Sequence, residues 1–599
     1  MNKSLPFWIA WLIFSLITVG VAMLFSSAAV VDGQYIPVSN DSFYHARRII
    51  DAATGAGGFY QFDTMIHVPE GSWLNWPWGY DLILSVALRV ALLIRPDLPP
   101  MKFLAYVPVV WIFVNAGLMT LIARQVQLGA TPTAIGLLAF SLLPLTQNLH
   151  GLGLIDHHFV ELTFVLLSVL FGLRLFEKQR QNDAVIVGVV LGLASAFQNG
   201  LFILQLPVLA AVFLLWLQGG KLPRQCLLWL AGSLIVTTLL VVLPSAPFHD
   251  LQFEFWTLSW FHLYIAFGSA VVLAFFAWRP FSPTNAGMLA VIGIVMLVPI
   301  FAKLVTGAAF LAGELDIINN ISEVRSPVSR LLEPGGVASV TSLYSWLIFA
   351  APIIAVLHVL RLFASREPAS VFLSVMILFG IVLMMSQYRL HPFGTWAVIF
   401  GVLLGIDNLR QKLNASTLHT TAVTLAFLAI ALQPSLRNQL FKRAPPGLDR
   451  NYAATRSLYP VLSAACANAP GSVLALADDG HPIRYHTDCS VIVNNFLMTP
   501  LHLQKLQEVD AMLQMSPQAL LETSDVRYLF VRLNDVFFST PNGVQPTPID
   551  VIKANNAPLF FELAFAEQMP VGYRLLAELR VEDDRDFAFA RVFEIEHSK

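Results

Sequence analysis

The chain has 599 residues, 56% of them hydrophobic and only 12% charged, against the roughly 25% charged residues of ordinary soluble domains. Its net charge of -2 is spread over short loops of both signs, so there is no basic surface for nucleic acid. A soluble globular protein and a nucleic-acid binder are excluded, and the composition is that of a polytopic membrane protein.

The opening MNKSLPFWIAWLIFSLITVGVAMLF has a signal-like start. Its apolar run is too long for a signal-peptide core and no clear A-x-A site follows, so it is read as a retained first span. Thirteen apolar runs long enough to cross a bilayer start near residues 6, 102, 131, 160, 184, 200, 226, 256, 285, 341, 370, 391 and 416. Residues 82 to 94 form one more apolar run, interrupted by Arg89. Counting it as a span would invert every later loop, and the positive-inside rule decides against it. With that run left out, Lys3, Arg124, Lys178, Arg180, Lys221, Arg224, Arg279, Arg361, Arg366, Arg410 and Lys412 all fall on one side, the cytoplasmic one. Residues 82 to 94 are then expected to lie in the interface as an amphipathic helix.

This parity divides the chain into a transmembrane domain over 1-434 and a domain outside the cytoplasm over 435-599, with external loops at 28-101 and 304-340. The second loop is far longer than a typical connection, and loops of that length are usually functional or disordered. It carries Glu314, Asp316, Glu323, Arg325 and Arg330. After about residue 440 the composition becomes that of a soluble domain. GSVLALADDG, SVIVNN and VRYLFVRL read as strands, TPLHLQKLQEVDAMLQ as an amphipathic helix, and YRLLAELRV and FAFARVFEIE follow near the end. Strands alternating with helices predict a small α/β domain. Of the three cysteines, Cys226 lies in a span, while Cys466 and Cys489 lie outside and either pair or stay as two thiols.

The candidate chemistry collects on the external side. Asp41 sits in NDSFYHARR, Asp156 and His158 in GLIDHHFVE, and Glu323 in the long loop. Each acid taken singly reads as a solvated loop charge. Taken together, hard oxygen ligands and an imidazole at one membrane face make a site for Mn²⁺ or Mg²⁺, with zinc ranked lower for want of cysteine and further histidine. Arg389 in SQYRLHPFGTW, with His391 beside it, either snorkels to the interface or binds an anion such as a phosphate. The tryptophans of GSWLNWPWGYD at 71 to 81 read as an aromatic belt rather than a sugar-stacking platform.

These stretches together resemble the catalytic subunit of oligosaccharyltransferases, the bacterial and archaeal single-subunit enzymes and their eukaryotic counterpart. The resemblance covers essentially the whole chain and implies an α-helical polytopic GT-C membrane glycosyltransferase fold with about thirteen spans and an external C-terminal α/β domain. Asp41 matches the family's first-loop aspartate, which binds the metal and engages the acceptor. Asp156 and His158 resemble the D-x-D/D-x-H motif, most closely its archaeal D-H-H form. Glu323 in NISEVRS resembles the glutamate of the long external loop, and Arg389 the arginine that binds the donor phosphate, with His391 adjacent. Implied are Asp41 and Glu323 as catalytic residues, Asp41, Asp156, His158 and Glu323 as ligands of Mn²⁺ or Mg²⁺, and Arg389 with His391 at the phosphate.

The chain departs from the family at the W-W-D-Y-G motif, which aligns with LADDGHPIRYHTD. Leu476 and Ala477 stand where the tryptophans would be, and Asp478, Asp479 and Gly480 take the next three places. Those three are the candidate acceptor-binding residues, and a pocket without indole walls would be wetter and looser. The family's second sequon-pocket motif has no counterpart that can be placed.

The expected function is therefore transfer of a glycan from a polyprenyl-(di)phosphate-linked donor to a protein asparagine on the periplasmic side of a bacterial inner membrane. A GT-C transferase of the same donor class with a lipid or saccharide acceptor is the alternative. A transporter or flippase would place ionisable or helix-breaking residues mid-span and show inverted repeats; here the acids collect in loops and no repeat is visible. A non-catalytic scaffold would not need Asp41, Asp156, His158 and Glu323.

Overall fold

The computed structural model describes residues 5–25, 29–306, 325–413, 416–441, 450–540, 543–580 and 587–597. The chain divides into two compact units, one of residues 1–36, 76–84 and 95–447, the other of residues 37–75, 85–94 and 448–599.

The first unit is helical. Among its described residues, ten helices are long and apolar enough to cross a membrane, and the bent pair Ala130–Leu142 and Pro144–His150 makes a candidate eleventh. Two shorter apolar helices, Gln181–Ala194 and Thr420–Pro434, lie where the sequence also predicts spans. Helix Pro283–Thr306 leaves Val291, Ile294, Val298 and Phe301 exposed, as expected of a surface solvated by lipid rather than water. Helices Pro368–Ser386 and His391–Leu413 touch backbone to backbone. A Cβ on Gly380 would lie 2.2 Å from the Phe393 carbonyl oxygen, and one on Gly394 would lie 2.5 Å from that of Gly380. Small residues at such a crossing replace hydrophobic drive with close van der Waals contact, and the crossing fixes the short link that carries Arg389.

Residues 82 to 94 belong to helix Trp78–Ile94. Ile83, Val86, Val90 and Leu93 are exposed, whereas Tyr80, Asp81, Leu84 and Leu88 are buried. The helix is two-faced, with exposed Arg89 standing among the apolar side chains of the open face.

The second unit is built on a mixed five-stranded sheet. Its strands are β1 (Ser472–Leu474), β2 (Ser490–Val491), β3 (Tyr528–Arg532), β4 (Tyr573–Arg580) and β5 (Ala588–Ile595), in the order β4-β5-β3-β1-β2. β4 and β5 pair antiparallel, as do β5 and β3, while β1 runs parallel to both β3 and β2. β3 is buried along its whole length, which explains its near-continuous apolar sequence YLFVR. Leu529, Val531, Phe593 and Ile595 pack with Phe560 and Leu563 of helix Pro558–Phe565 into one core. Cys466 and Cys489 form a disulfide, which ties helix Tyr459–Asn468 to the approach to β2.

Residues 37–75 fold with this domain. Val491 in β2 donates its N–H to the Met65 carbonyl at 2.9 Å and accepts from the Val68 N–H at 3.4 Å, so the loop extends the sheet edge. Lys505 reaches Glu70 at 2.7 Å, the His502 Nε2 lies 2.7 Å from the Ser72 hydroxyl, and Arg47 meets Asp488 at 2.9 Å.

Candidate active site

In the first unit the segment Asp156-His157-His158 leads into helix His158–Lys178, whose first turn carries Glu161. Residues three and four apart share a helix face, so Glu161 lies under both histidines. The result is a closed ring of contacts. His157 Nδ1 is 2.9 Å from Asp156 Oδ1 and its Nε2 is 3.3 Å from Glu161 Oε1, while His158 Nε2 is 3.3 Å from Asp156 Oδ2 and its Nδ1 is 3.0 Å from Glu161 Oε2. The His157 backbone N–H also donates to Asp156 Oδ1 at 2.7 Å.

Two neutral imidazoles own two ring N–H groups between them, and this ring has four nitrogen-to-carboxylate contacts. Two of the four would set lone pair against lone pair unless further positive charge enters, as protons or as a cation. For His157, burial opposes the charged form, and Asp156 and Glu161 outweigh it, pushing its pKa up to about 10. His158 Nδ1 approaches Glu161 without hydrogen-bond geometry, although it is shut off from solvent. Ligand atoms of His157, His158 and Glu161 all lie within 4.8 Å of one another. Bonds of about 2.1 Å from one ion to adjacent ligands put those ligands roughly 3.0–3.4 Å apart, so the trio within 4.8 Å would close on one ion after small side-chain shifts. The residues fit a divalent metal.

The turn is held from below by a satisfied polar network. His150 Nδ1 lies 2.9 Å from the Thr146 carbonyl, which puts the proton on Nδ1 and leaves Nε2 to accept from Asn115 Nδ2 at 2.9 Å. Asn115 also donates to the Phe159 carbonyl at 3.0 Å and accepts from Thr163 at 2.8 Å. Inside an apolar bundle such a network fixes orientation, because any broken member would be left without water.

Arg389 and His391 stand at the link between helices Pro368–Ser386 and His391–Leu413, with Arg389 half-buried. Among the described residues no ion-pair partner meets Arg389. His391 is 6% exposed with its Nδ1 lacking a hydrogen-bond partner, and it lies within electrostatic reach of His158 and Glu161. Neighbouring Tyr388 accepts from Asn148 at 3.2 Å and donates its backbone N–H to the Arg325 carbonyl at 3.0 Å. A guanidinium, a buried imidazole nitrogen and the histidine-carboxylate ring thus belong to one unit.

Asp41 belongs to the second unit, in the first turn of helix Asn40–Thr54. Its Oδ1 lies 3.7 Å from Nδ1 of His481, and Asn40 Nδ2 donates to the Asp478 carbonyl at 2.6 Å. Burial, reinforced by His45 and His67, pushes His481 down to about 3, so Asp41 faces a neutral ring. The first-loop aspartate and the segment at 478–481 are therefore neighbours.

Within that segment the three candidate acceptor residues differ. Asp478 is exposed. Asp479 is 2% exposed and accepts from Arg532 Nε through both oxygens at 3.1 Å. A Cβ on Gly480 would lie 2.5 Å from the Val493 carbonyl oxygen, so glycine is what allows the close approach. Arg484 of HPIRY caps the carbonyl of Cys489 at 3.2 Å and lies 3.8 Å from Asp63, which accepts from Tyr44 at 2.6 Å.

Of the residues singled out in the sequence, Asp156 and His158 come together, as do Asp41 and the 478–481 segment. Glu323 lies outside the described residues. His157 and Glu161 were not assigned from sequence, although the spacing H-H-x-x-E at a helix start carries the signal.

No family model matches the chain, and no curated protein matches it. Solved structures do. The archaeal oligosaccharyltransferase AglB from Archaeoglobus fulgidus, in complex with an inhibitory peptide and a dolichol-phosphate, superposes with a TM-score of 0.72 at 15% identity, covering 96% of this chain and 79% of that one. This chain has the oligosaccharyltransferase fold. The Archaeoglobus fulgidus enzyme tethered to an acceptor peptide containing the NVT sequon gives a TM-score of 0.73 at 15% identity over 96% and 80% of the two chains. Its complex with Zn and sulfate gives 0.65 at 16% identity over 95% and 78%. The oligosaccharyltransferase fold thus spans both units of the chain.

Proposed function

We propose that this protein is a metal-dependent membrane oligosaccharyltransferase that moves a glycan from a polyprenyl-linked phosphate or diphosphate to asparagine in an acceptor protein. The observation that carries this reading is the ring of Asp156, His157, His158 and Glu161 in one unit with Arg389 and His391, inside an oligosaccharyltransferase fold. Asp156, His157, His158 and Glu161 would hold a divalent cation, which when bound would supply positive charge beside the lipid phosphate. Two imidazoles beside two carboxylates suit Mn²⁺ or Zn²⁺ better than Mg²⁺. Arg389 grips the phosphate with its planar fork, and the His391 Nδ1 offers a second buried polar contact. Asp41 and Glu323 hydrogen-bond the acceptor amide. The reading places the reaction on the periplasmic face of a bacterial inner membrane, and the Cys466–Cys489 disulfide supports an oxidising compartment for the second unit.

A second reading, a lipid or saccharide acceptor, is favoured by the segment at 476–480. Leu476 and Ala477 stand in place of indoles, and Asp479 is engaged by Arg532. Asp41 would then act as general base toward a hydroxyl. The test is transfer from a polyprenyl-linked glycan by purified protein with Mn²⁺, using Asn-x-Thr peptide, Asn-x-Ala peptide or no peptide, with Asp41→Ala and Glu323→Ala alongside. Glycopeptide that requires the threonine supports the first reading. Donor consumed without glycopeptide supports the second, and no consumption under any condition overturns both.

A further inference from the structure

Toward the far end of helix His391–Leu413 from His391, an open cleft lies against the start of helix Ala130–Leu142 and the early turns of helix Thr417–Phe441. From His391 to Arg410 the helix rises about 28 Å at roughly 1.5 Å per residue, so the cleft is remote from the histidine-carboxylate ring. The basic residues that mark the cytoplasmic side in the sequence, Arg124, Arg410 and Lys412, belong to this end.

The cleft is two-sided in chemistry. Ile135, Leu403 and Ile406 line it with hydrocarbon, while Asp407, Arg410 and threonines 131, 420, 421 and 424 supply its polar part. Asp407 accepts from Arg410 at 3.1 Å through one oxygen and from Gln411 at 2.9 Å through the other. A carboxylate has about four lone-pair sites, so both oxygens can accept again. Thr420 donates its hydroxyl proton to the Ser416 carbonyl at 3.1 Å, and Thr424 donates to the Thr420 carbonyl at 2.7 Å. With their protons committed, these two hydroxyls offer lone pairs. The polar part therefore combines one guanidinium, which recognises an anion, with acceptors that suit a donor of several N–H bonds. Below it lies an apolar wall.

We propose that this cleft binds a phospholipid of the cytoplasmic leaflet whose head group carries a phosphate and a primary ammonium, the phosphatidylethanolamine class. Arg410 takes the phosphate. Asp407, Thr420 and Thr424 accept from the ammonium, whose three N–H donors a quaternary choline lacks, and Ile135, Leu403 and Ile406 meet the acyl chains.

The experiment is native mass spectrometry of the full-length detergent-solubilised protein, titrated with dioleoyl phosphatidylethanolamine, phosphatidylcholine or phosphatidylglycerol, and with water-soluble glycerophosphoethanolamine. Phosphatidylethanolamine is expected to bind one site roughly tenfold tighter than phosphatidylcholine, the difference made by hydrogen bonds to a charged group. Arg410→Gln weakens phosphatidylethanolamine by roughly tenfold, and Asp407→Asn brings phosphatidylethanolamine and phosphatidylcholine level. Should Arg410→Gln fail to fold, Thr420→Val reads the same lipid ratio. Equal binding of the two lipids by the unaltered protein overturns the proposal, as does a ratio unmoved by Asp407→Asn. Glycerophosphoethanolamine binding as tightly as the lipid would make this a site for a soluble phosphate ester and overturn the lipid assignment.

Discussion

Asp479→Asn separates a structural carboxylate from an acceptor ligand. Arg532 lies on the central strand β3, and its side chain and that of Asp479 are 1% and 3% exposed. The Arg532 Nε donates to both Asp479 oxygens at 3.1 Å, and its Nη1 donates to Asn534 Oδ1 at 2.6 Å. Asparagine keeps one acceptor but removes the charge, leaving a buried guanidinium facing neutral groups. Breaking a buried pair from one side costs about 3–5 kcal/mol. The retained acceptor places this case near about 3 kcal/mol, which corresponds to roughly a hundredfold faster opening. Hydrogen exchange of the Tyr528–Arg532 peptide in the full-length protein reads that opening directly. Because the pair is apolar-replaceable, Asp479→Leu combined with Arg532→Met should restore much of the protection. Unchanged exchange in Asp479→Asn together with lost peptide glycosylation would refute the structural assignment and return Asp479 to the acceptor site.

Glu161→Gln removes one charge from the ring and should weaken Mn²⁺ or Zn²⁺ binding by at least about tenfold, as read by isothermal titration; a folded variant with full affinity takes Glu161 out of the metal set. Arg389→Gln should raise the donor KM by roughly ten- to a hundredfold, and Arg389→Lys should recover only part, since an ammonium cannot form the planar fork; donor titration at saturating acceptor checks both. His67 is buried with neither ring nitrogen hydrogen-bonded, and its ring stacks on His502 at 4.3 Å. Burial, with Lys505 adding and Asp63 and Glu70 opposing, holds His67 down at about 4, below the unfolded value of about 6.5. The unfolded state therefore binds the proton first, so stability is full above about pH 6.5 and falls by up to about 3 kcal/mol as pH drops to about 4. Thermal unfolding at pH 7 and pH 5 should show that loss in the unaltered protein and a smaller one in His67→Phe.

The apolar spans were legible because crossing hydrocarbon demands an uninterrupted run of nonpolar side chains, a property each segment carries within itself. For the same reason β3 announced itself as YLFVR, and residues 82–94 as part of an apolar helix. Asp156 and His158 could be picked out because they stand two residues apart in the chain. Glu161 and His157 joined them only through helical geometry, since three- and four-residue spacing becomes contact once the turn is wound.

What the sequence by itself determined is the set of local commitments: a membrane-embedded helical body, a terminal α/β domain, and acids and histidines gathered at loop ends. Tertiary structure alone decided the long-range partnerships. Asp479 found Arg532 across 53 residues, Asp41 came to lie 3.7 Å from His481, and residues 37–75 joined the sheet edge through Val491. Hydropathy has no memory over such separations. A buried charge must be met by whichever opposite charge the packing delivers, and an exposed strand edge by whichever backbone arrives beside it, and only the folded chain specifies which those are.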